Sequence, residues 1–181
     1  MNSLSRSADA RSPLVFDVHE MSRQAGTMKE ISRSVPAPAD LGVEMMRVPE
    51  GSPIALELRL QSVVEGIWVS GTADVELAGE CSRCLTPLED EASFDLEELF
   101  VHPDREADED ATFVVDERID LEPALRDAVV LDLPFTPLCR EDCAGLCTIC
   151  GANLNDDPEH THGEQVDPRW STLLRVDTDD N

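Results

Sequence analysis

Two Cys-x-x-Cys pairs set the strongest constraint on this chain. They are Cys81-Ser82-Arg83-Cys84 and Cys147-Thr148-Ile149-Cys150, with Cys139 and Cys143 between them and His160 and His162 beyond. A two-residue spacer lets one tight turn aim two sulfurs at a single ion. Six thiols and two imidazoles make eight candidate donors. That is the number needed for two structural Zn2+ ions in closed tetrahedral sites, with no position left for water or substrate. The preferred grouping puts Cys81, Cys84, Cys139 and Cys143 on one ion and Cys147, Cys150, His160 and His162 on the other. A rival grouping gathers Cys139, Cys143, Cys147 and Cys150.

Other uses of these residues have clear requirements. A thioredoxin-like redox pair needs a helix N-terminus in a βαβ setting, which neither pair has. Catalytic zinc needs an open position and a nearby base; Glu159 and Glu164 flank the histidines, but in so acidic a chain such neighbours arise by chance. His160 and His162 also admit a reading as ordinary surface histidines, and His19 and His102 are read as structural or solvent-exposed. The start, Met1-Asn2-Ser3-Leu4-Ser5-Arg6-Ser7, has no apolar core, and nothing later approaches a membrane span. The expectation is a soluble cytoplasmic protein, and a reducing compartment favours metal ligation over disulfides.

Charge bears on partners. Fourteen Lys and Arg against 39 Asp and Glu give a formal charge of -25. Through Arg47 the two signs nearly balance, and the acidic surplus lies beyond. Phosphate neutralisation takes clustered Lys and Arg, so the acidic body is a poor match for nucleic acid or an anionic membrane and a good one for a basic protein. Acidity that merely confers solubility is the plainer alternative.

The elements follow from periodicity. Aromatics are 4% of residues with no Tyr, so an aliphatic core is expected. Ile54, Leu56, Leu58 and Leu60 alternate with polar neighbours, as do Ile67, Val69, Ala73, Val75 and Leu77, with Glu65-Gly66 as the hairpin turn between them. Ala92, Phe94 and Leu96 read as a third strand folding back, so that a metal would cap the hairpin end at Cys81. Leu14-Val15-Phe16 could open a sheet, 26–40 read as irregular because of Pro36 and Pro38, 103–110 as a solvated acidic loop, and Phe113-Val114-Val115 as a short strand. Asp120 reads as an N-cap, with Pro123 in the first turn, an apolar stripe of Leu121, Leu125, Ala128 and Val129, and Pro134 as the stop. A final short helix is expected at Asp167-Pro168-Arg169-Trp170. The fold class is α+β: an antiparallel sheet with one main helix and a zinc-knuckle C-terminal segment. The expected organisation is a disordered tail at 1–12, a single domain at 13–175 that includes the zinc-binding segment 139–162, and a disordered tail at 176–181.

The runs Glu80-Cys81-Ser82-Arg83-Cys84-Leu85 and Leu133-Pro134-Phe135-Thr136-Pro137-Leu138-Cys139, continuing through Cys143, Gly145, Cys147 and Cys150 to Gly151, closely resemble the YceD family of large ribosomal RNA subunit accumulation proteins. The similarity extends from about Leu14 to Trp170. Val48 to Pro53 and Asp120 to Asp127 look like its actinobacterial branch. The resemblance implies a role in synthesis, processing or stability of large-subunit (23S) ribosomal RNA and brings no catalytic residues. Many relatives carry Cys-x-Cys where this chain has His160-Thr161-His162, which implies a ligand role for the histidines. The leading expectation is a non-enzymatic ribosome-biogenesis factor. Its partners would be a basic ribosomal protein or a pre-ribosomal particle, with large-subunit rRNA reached directly or indirectly and no membrane. The alternatives are a zinc-ribbon module that binds RNA through Arg23, Lys29 and Arg33, and a metal-dependent hydrolase.

Overall fold

A computed structural model describes residues 12–106, 108 and 111–162. The elements in chain order are β1 (Val15–Asp17), a 3-10 turn (Met21–Arg23), β2 (Met28–Pro36), β3 (Met46–Arg47), β4 (Pro53–Ser62), β5 (Gly66–Glu80), β6 (Pro87–Val101), β7 (Thr112–Phe113), β8 (Arg118–Asp120) and α1 (Glu122–Asp132). The main sheet has the order β2-β4-β5-β6-β7, with β3 also paired to β5, and β1 forms a second small sheet with β8. The result is a mostly β, α+β molecule.

Alternation builds the sheet. On β4, Ile54, Leu56, Leu58 and Leu60 are buried while Ala55, Glu57 and Arg59 face solvent. On β5, Ile67, Val69, Ala73, Val75 and Leu77 point to the same interior. The turn lies one residue earlier than expected: Gly66 is already the first residue of β5. The third strand is longer than its alternation suggested and starts directly after the first Cys-x-x-Cys turn. β5 and β6 pair antiparallel without interruption from Gly66↔Val101 to Glu80↔Pro87. Gly71, at φ +155°, sits at the crossing of three strands, where a Cβ would lie 2.0 Å from the Glu57 carbonyl oxygen. Any side chain there would push β4 and β5 apart.

Three expectations are corrected and one is made specific. Residues 28–36, read as irregular, form an edge strand paired with β4 from Met28↔Gln61 to Pro36↔Pro53. A proline at the end of an edge strand removes no bond the sheet needs, so Pro36 ends the strand rather than forbidding it. Leu14-Val15-Phe16 does lead into a sheet, the small one: β1 pairs with β8, reached through the Asp116-Glu117 turn. Phe113 belongs to β7, which runs parallel to β6, but Val114 and Val115 lie past it, so the sheet is not wholly antiparallel. Asp120 lies one residue ahead of the N-cap position, held by Leu121, and its Oδ1 accepts the Glu122 N–H at 3.0 Å. The helix itself follows the sequence: Pro123 stands in its first turn, Leu125 and Val129 are buried, and the chain leaves it before Pro134.

Arg126 docks the helix, donating to the carbonyls of Asp40 at 2.5 Å and Ala39 at 3.2 Å. One continuous core joins Leu14, Phe16, Leu41, the inner residues of β4 to β6, Ile119, Leu125 and Val129. It is chiefly aliphatic, with Phe16, Phe94 and Phe100 as its aromatic bulk. The helix expected at Asp167–Trp170 and the tail at 176–181 lie outside the described residues, as does nearly all of the tail at 1–12. No helix among the described residues is long and apolar enough to cross a membrane.

Candidate metal centres

The tip of the β5–β6 hairpin carries the first Cys-x-x-Cys turn. Cys81 directly follows β5, its N–H donates to the Thr86 carbonyl at 2.9 Å, and Leu85 closes the turn with a bond from its N–H to the Cys81 carbonyl at 2.8 Å. Leu85 has a φ of +57°, which turns the chain back after Cys84 so that it enters β6 alongside β5. The segment after α1 is tied to this tip: Ser82 N–H donates to the Pro137 carbonyl at 2.9 Å, and the Arg83 guanidinium donates to the Cys143 carbonyl at 3.0 Å. Leu146 N–H in turn donates to the Arg83 carbonyl at 3.1 Å. Gly145, at φ +79°, passes so close that a Cβ would lie 3.2 Å from that carbonyl oxygen.

These bonds gather Cys81, Cys84, Cys139 and Cys143 into one cluster, with all four sulfurs within 4.8 Å of one another. Cys81 and Cys143 are 3.8 Å apart, and Cys84 and Cys139 are 3.6 Å apart. Zinc–sulfur bonds near 2.3 Å place the corners of an S4 tetrahedron about 3.8 Å apart. These two separations match the edges of such a tetrahedron. Cys81, Cys84 and Cys143 are buried, and Cys139 forms the exposed lip.

The thiols are electrostatically unequal. Burial pushes the Cys81 thiol up, but backbone hydrogen bonds from Cys139, Arg83 and Cys84 more than reverse this and bring it to about 6. The Thr86 hydroxyl, 3.1 Å from Cys84 Sγ, holds that thiol below its usual range. Burial and the neighbouring thiols push Cys139 up to about 12. A pocket with ready thiolates beside a reluctant thiol is one that a cation completes, because its charge removes the repulsion among the sulfurs.

Cys147, Cys150, His160 and His162 form the second cluster, also within 4.8 Å. Cys147 N–H donates to the Ala152 carbonyl and Gly151 N–H to the Cys147 carbonyl, both at 2.8 Å, closing the second turn. The Nε2 atoms of His160 and His162 each lie 3.2 Å from Cys150 Sγ and 2.9 Å from one another. A tetrahedron of mixed sulfur and nitrogen donors has edges of about 3.3–3.6 Å, so these atoms need to spread by only a few tenths of an ångström. Asp157 Oδ2 stands 3.7 Å from His160 Nδ1, on the ring edge opposite the donor nitrogen, which is where an orienting carboxylate belongs. Backbone hydrogen bonds from Cys150 and Ile149 bring the Cys147 thiol down to about 6. This cluster is open, with Cys150 exposed and its other members half-buried.

All eight singled-out residues therefore fall into two groups of four. His19 lies outside both, exposed and paired with Glu117, and His102 lies just beyond β6. Thr86, Arg83 and Asn155, which donates to Cys143 Sγ at 3.4 Å, were not singled out from the sequence. No spacing rule marks such polar neighbours of a thiol; only the folded contacts reveal them.

The profile of the family described as "Large ribosomal RNA subunit accumulation protein YceD" matches residues 69–176. An uncharacterized protein of Mycobacterium tuberculosis is 44% identical over 170 residues, covering 91% of this chain and 82% of the relative. An uncharacterized protein of Bacillus subtilis is 24% identical over 165 residues, 90% of this chain and 94% of its own. A chloroplastic protein of Arabidopsis thaliana, described as "Large ribosomal RNA subunit accumulation protein YCED homolog 1", is 26% identical over 157 residues, with 69% of this chain and 49% of the plant protein covered. No solved structure matches the chain. The matched span holds the long hairpin from Val69 onward, the helix and both donor clusters, and the chain belongs to the YceD family.

Proposed function

We propose that this chain is a non-enzymatic ribosome-biogenesis factor that supports synthesis, processing or stability of large-subunit (23S) ribosomal RNA by holding a basic ribosomal protein on the solvent face of its sheet. The biological role rests on the family and on the printed description of its plant members. The holding mechanism rests on one observation, the charge of that face.

Strand register puts Glu57, Asp74, Glu76, Asp95, Glu97, Glu91 and Glu89 on the solvent side of β4 to β6, interleaved with small residues such as Ala55, Ser70, Thr72 and Ser93. Glu76 stands directly across from Glu91, a like-charge pairing that destabilises a sheet until a cation compensates it. Two arginines stand on this side of the sheet: Arg59, paired with Glu30 at 3.0 Å, and Arg47 of β3, opposite Ala78 at one end of the face. Among the described residues, none of the ion pairs uses Asp74, Glu76, Glu89, Glu91, Asp95 or Glu97. A face so predominantly acidic complements a Lys- and Arg-rich surface and repels RNA.

In this reading the chain is a cytoplasmic protein with one domain at 13–175 and no catalytic group. Two Zn2+ ions act structurally, one held by Cys81, Cys84, Cys139 and Cys143 and the other by Cys147, Cys150, His160 and His162. When bound, each ion supplies a crosslink and positive charge; four protein donors per ion leave no coordination position for a hydrolytic water. The test is recovery of the full chain with its partners from lysate over a salt series. A basic large-subunit protein that is released as salt rises, and is lost with Glu76→Gln, Glu91→Gln, Asp95→Asn and Glu97→Gln combined, supports the proposal. Recovery of free RNA alone refutes it.

A second reading, direct RNA binding through Arg23, Lys29 and Arg33, draws on the exposed edge strand β2, which carries two of these residues. It is the weaker one. Lys29 and Arg33 are exposed but stand opposite Leu60 and Leu56, on the side of the sheet away from its acidic face, and the Arg33 guanidinium is engaged 5.3 Å from the centre of the Phe16 ring. Loss of RNA binding on changing all three to Ala would favour it.

A further inference from the structure

The loop of the outer cluster reaches back into the inner one through a single side chain. Asn155 lies between Cys150 and His160, and its Nδ2 donates to the Cys143 sulfur at 3.4 Å and to Asn153 Oδ1 at 2.7 Å. Its Oδ1 accepts from Ala144 N–H at 2.9 Å and from the Arg140 guanidinium at 2.7 Å. Both polar ends of the amide are thus used, and three of these four bonds fall on the segment that carries Cys143. The backbone enforces this register: Leu154 N–H donates to the Gly145 carbonyl at 2.9 Å, and Leu146 bridges antiparallel to Asn153.

An N–H aimed at a metal-bound thiolate stabilises its charge and fixes its direction, so it contributes to metal affinity without touching the ion. The donor here is only as well placed as the loop that bears it, and that loop ends in His160 and His162, two donors of the outer cluster. We propose that Asn155 is a positioning residue that couples the two centres, so that filling the outer one tightens the grip of the inner one. Closing the outer ring pins the loop, the pinned loop holds the amide against Cys143, and the four-thiolate site binds its ion more strongly. Coupling of this kind is reciprocal, so an ion in the inner site also strengthens the outer one. The inference rests on the proposed metal loading of both clusters.

The experiment uses Co2+ as probe, on the full chain freed of metal. It reads uptake by absorbance and affinity by competition with a chelator. Asn155→Asp is the informative variant, because a carboxylate keeps the acceptor for Ala144 and Arg140 but removes the donor to sulfur. Its inner-site affinity should fall about 10–100-fold, as for other orienting partners of metal ligands. The sulfur-to-cobalt band of the four-thiolate site should shift, while two ions are still bound. Removing the outer site with Cys147→Ser and Cys150→Ser should lower inner-site affinity about tenfold in the wild-type background. In the Asn155→Asp background the same removal should have no further effect. A purely structural Asn155 would leave the band unshifted and give the same loss on outer-site removal in both backgrounds, and either result overturns the proposal. Wild-type protein that binds two ions while Asn155→Asp changes nothing overturns this inference alone; wild-type protein that binds none overturns the metal reading and this inference with it.

Discussion

The inner cluster takes its donors from two segments as much as 62 residues apart, at the tip of the longest hairpin and after the helix. The outer cluster takes all of its donors from one stretch, 147–162. Both use a Cys-x-x-Cys turn, and both stand at near-tetrahedral spacing. They differ in what they join: the inner one ties the sheet to the segment after the helix, while the outer one braces a loop against itself. Exposure follows the same division, with three of the four inner thiols buried and Cys150 of the outer cluster exposed. An ion of the same coordination number would thus serve as a clamp on the whole fold in one place and as a local brace in the other.

The contrast is easiest to break with Cys81→Ser. Losing a buried donor that joins distant segments is expected to cost on the order of 4 kcal/mol, lowering Tm by about 8–16 °C in a chain of this size. Cys147→Ser should lower it by only about 2–4 °C while the bound metal drops from two ions to one. Thermal melts paired with elemental analysis separate the two cases, and equal shifts in Tm would remove the distinction. Smaller in consequence but sharper in kinetics, a chelator should strip the exposed ion first and the buried one in a later, slower phase; a single phase would mean that the clusters open together.

A finer effect is expected from Thr86→Val, which removes the hydroxyl beside Cys84 and should weaken the inner site by about fivefold, the loss of one hydrogen bond, with no change at the outer site. Cobalt titration of the two spectral components checks this. The smallest effect lies outside both clusters. Glu91→Lys turns the Glu76/Glu91 repulsion into attraction and should raise Tm by about 1–3 °C with metal content unchanged.

Much of this was legible in the sequence, for particular reasons. β4 and β5 announce themselves because every second residue is apolar over a long run, and the helix because Pro123, Leu125 and Val129 occupy the positions an amphipathic turn requires. β2 hides because an edge strand buries little: Val35 is buried and Ile31 only partly so, with Lys29 and Arg33 filling the rest of the same side. The pairing of β1 with β8 joins residues more than a hundred positions apart and leaves no local trace. The donors in the two clusters were visible because few other residue types serve a soft ion, and their spacing is a local property. Thr86, Arg83 and Asn155 were not, because a hydroxyl, a guanidinium or an amide becomes a partner of sulfur only through the path of the chain around it.

The span between Cys84 and Cys139 has a consequence for how the protein is made. A ribosome adds about 5–20 residues per second, so across these 55 positions the first pair of thiols emerges roughly 3–11 s before its complement. The β5–β6 hairpin, whose contacts are local, has time to form in that interval with its two sulfurs unprotected. The stitch between hairpin and helix segment is tied late, and a nascent chain is therefore open to oxidants and to stray soft metals while the hairpin that carries its first two thiols is already built.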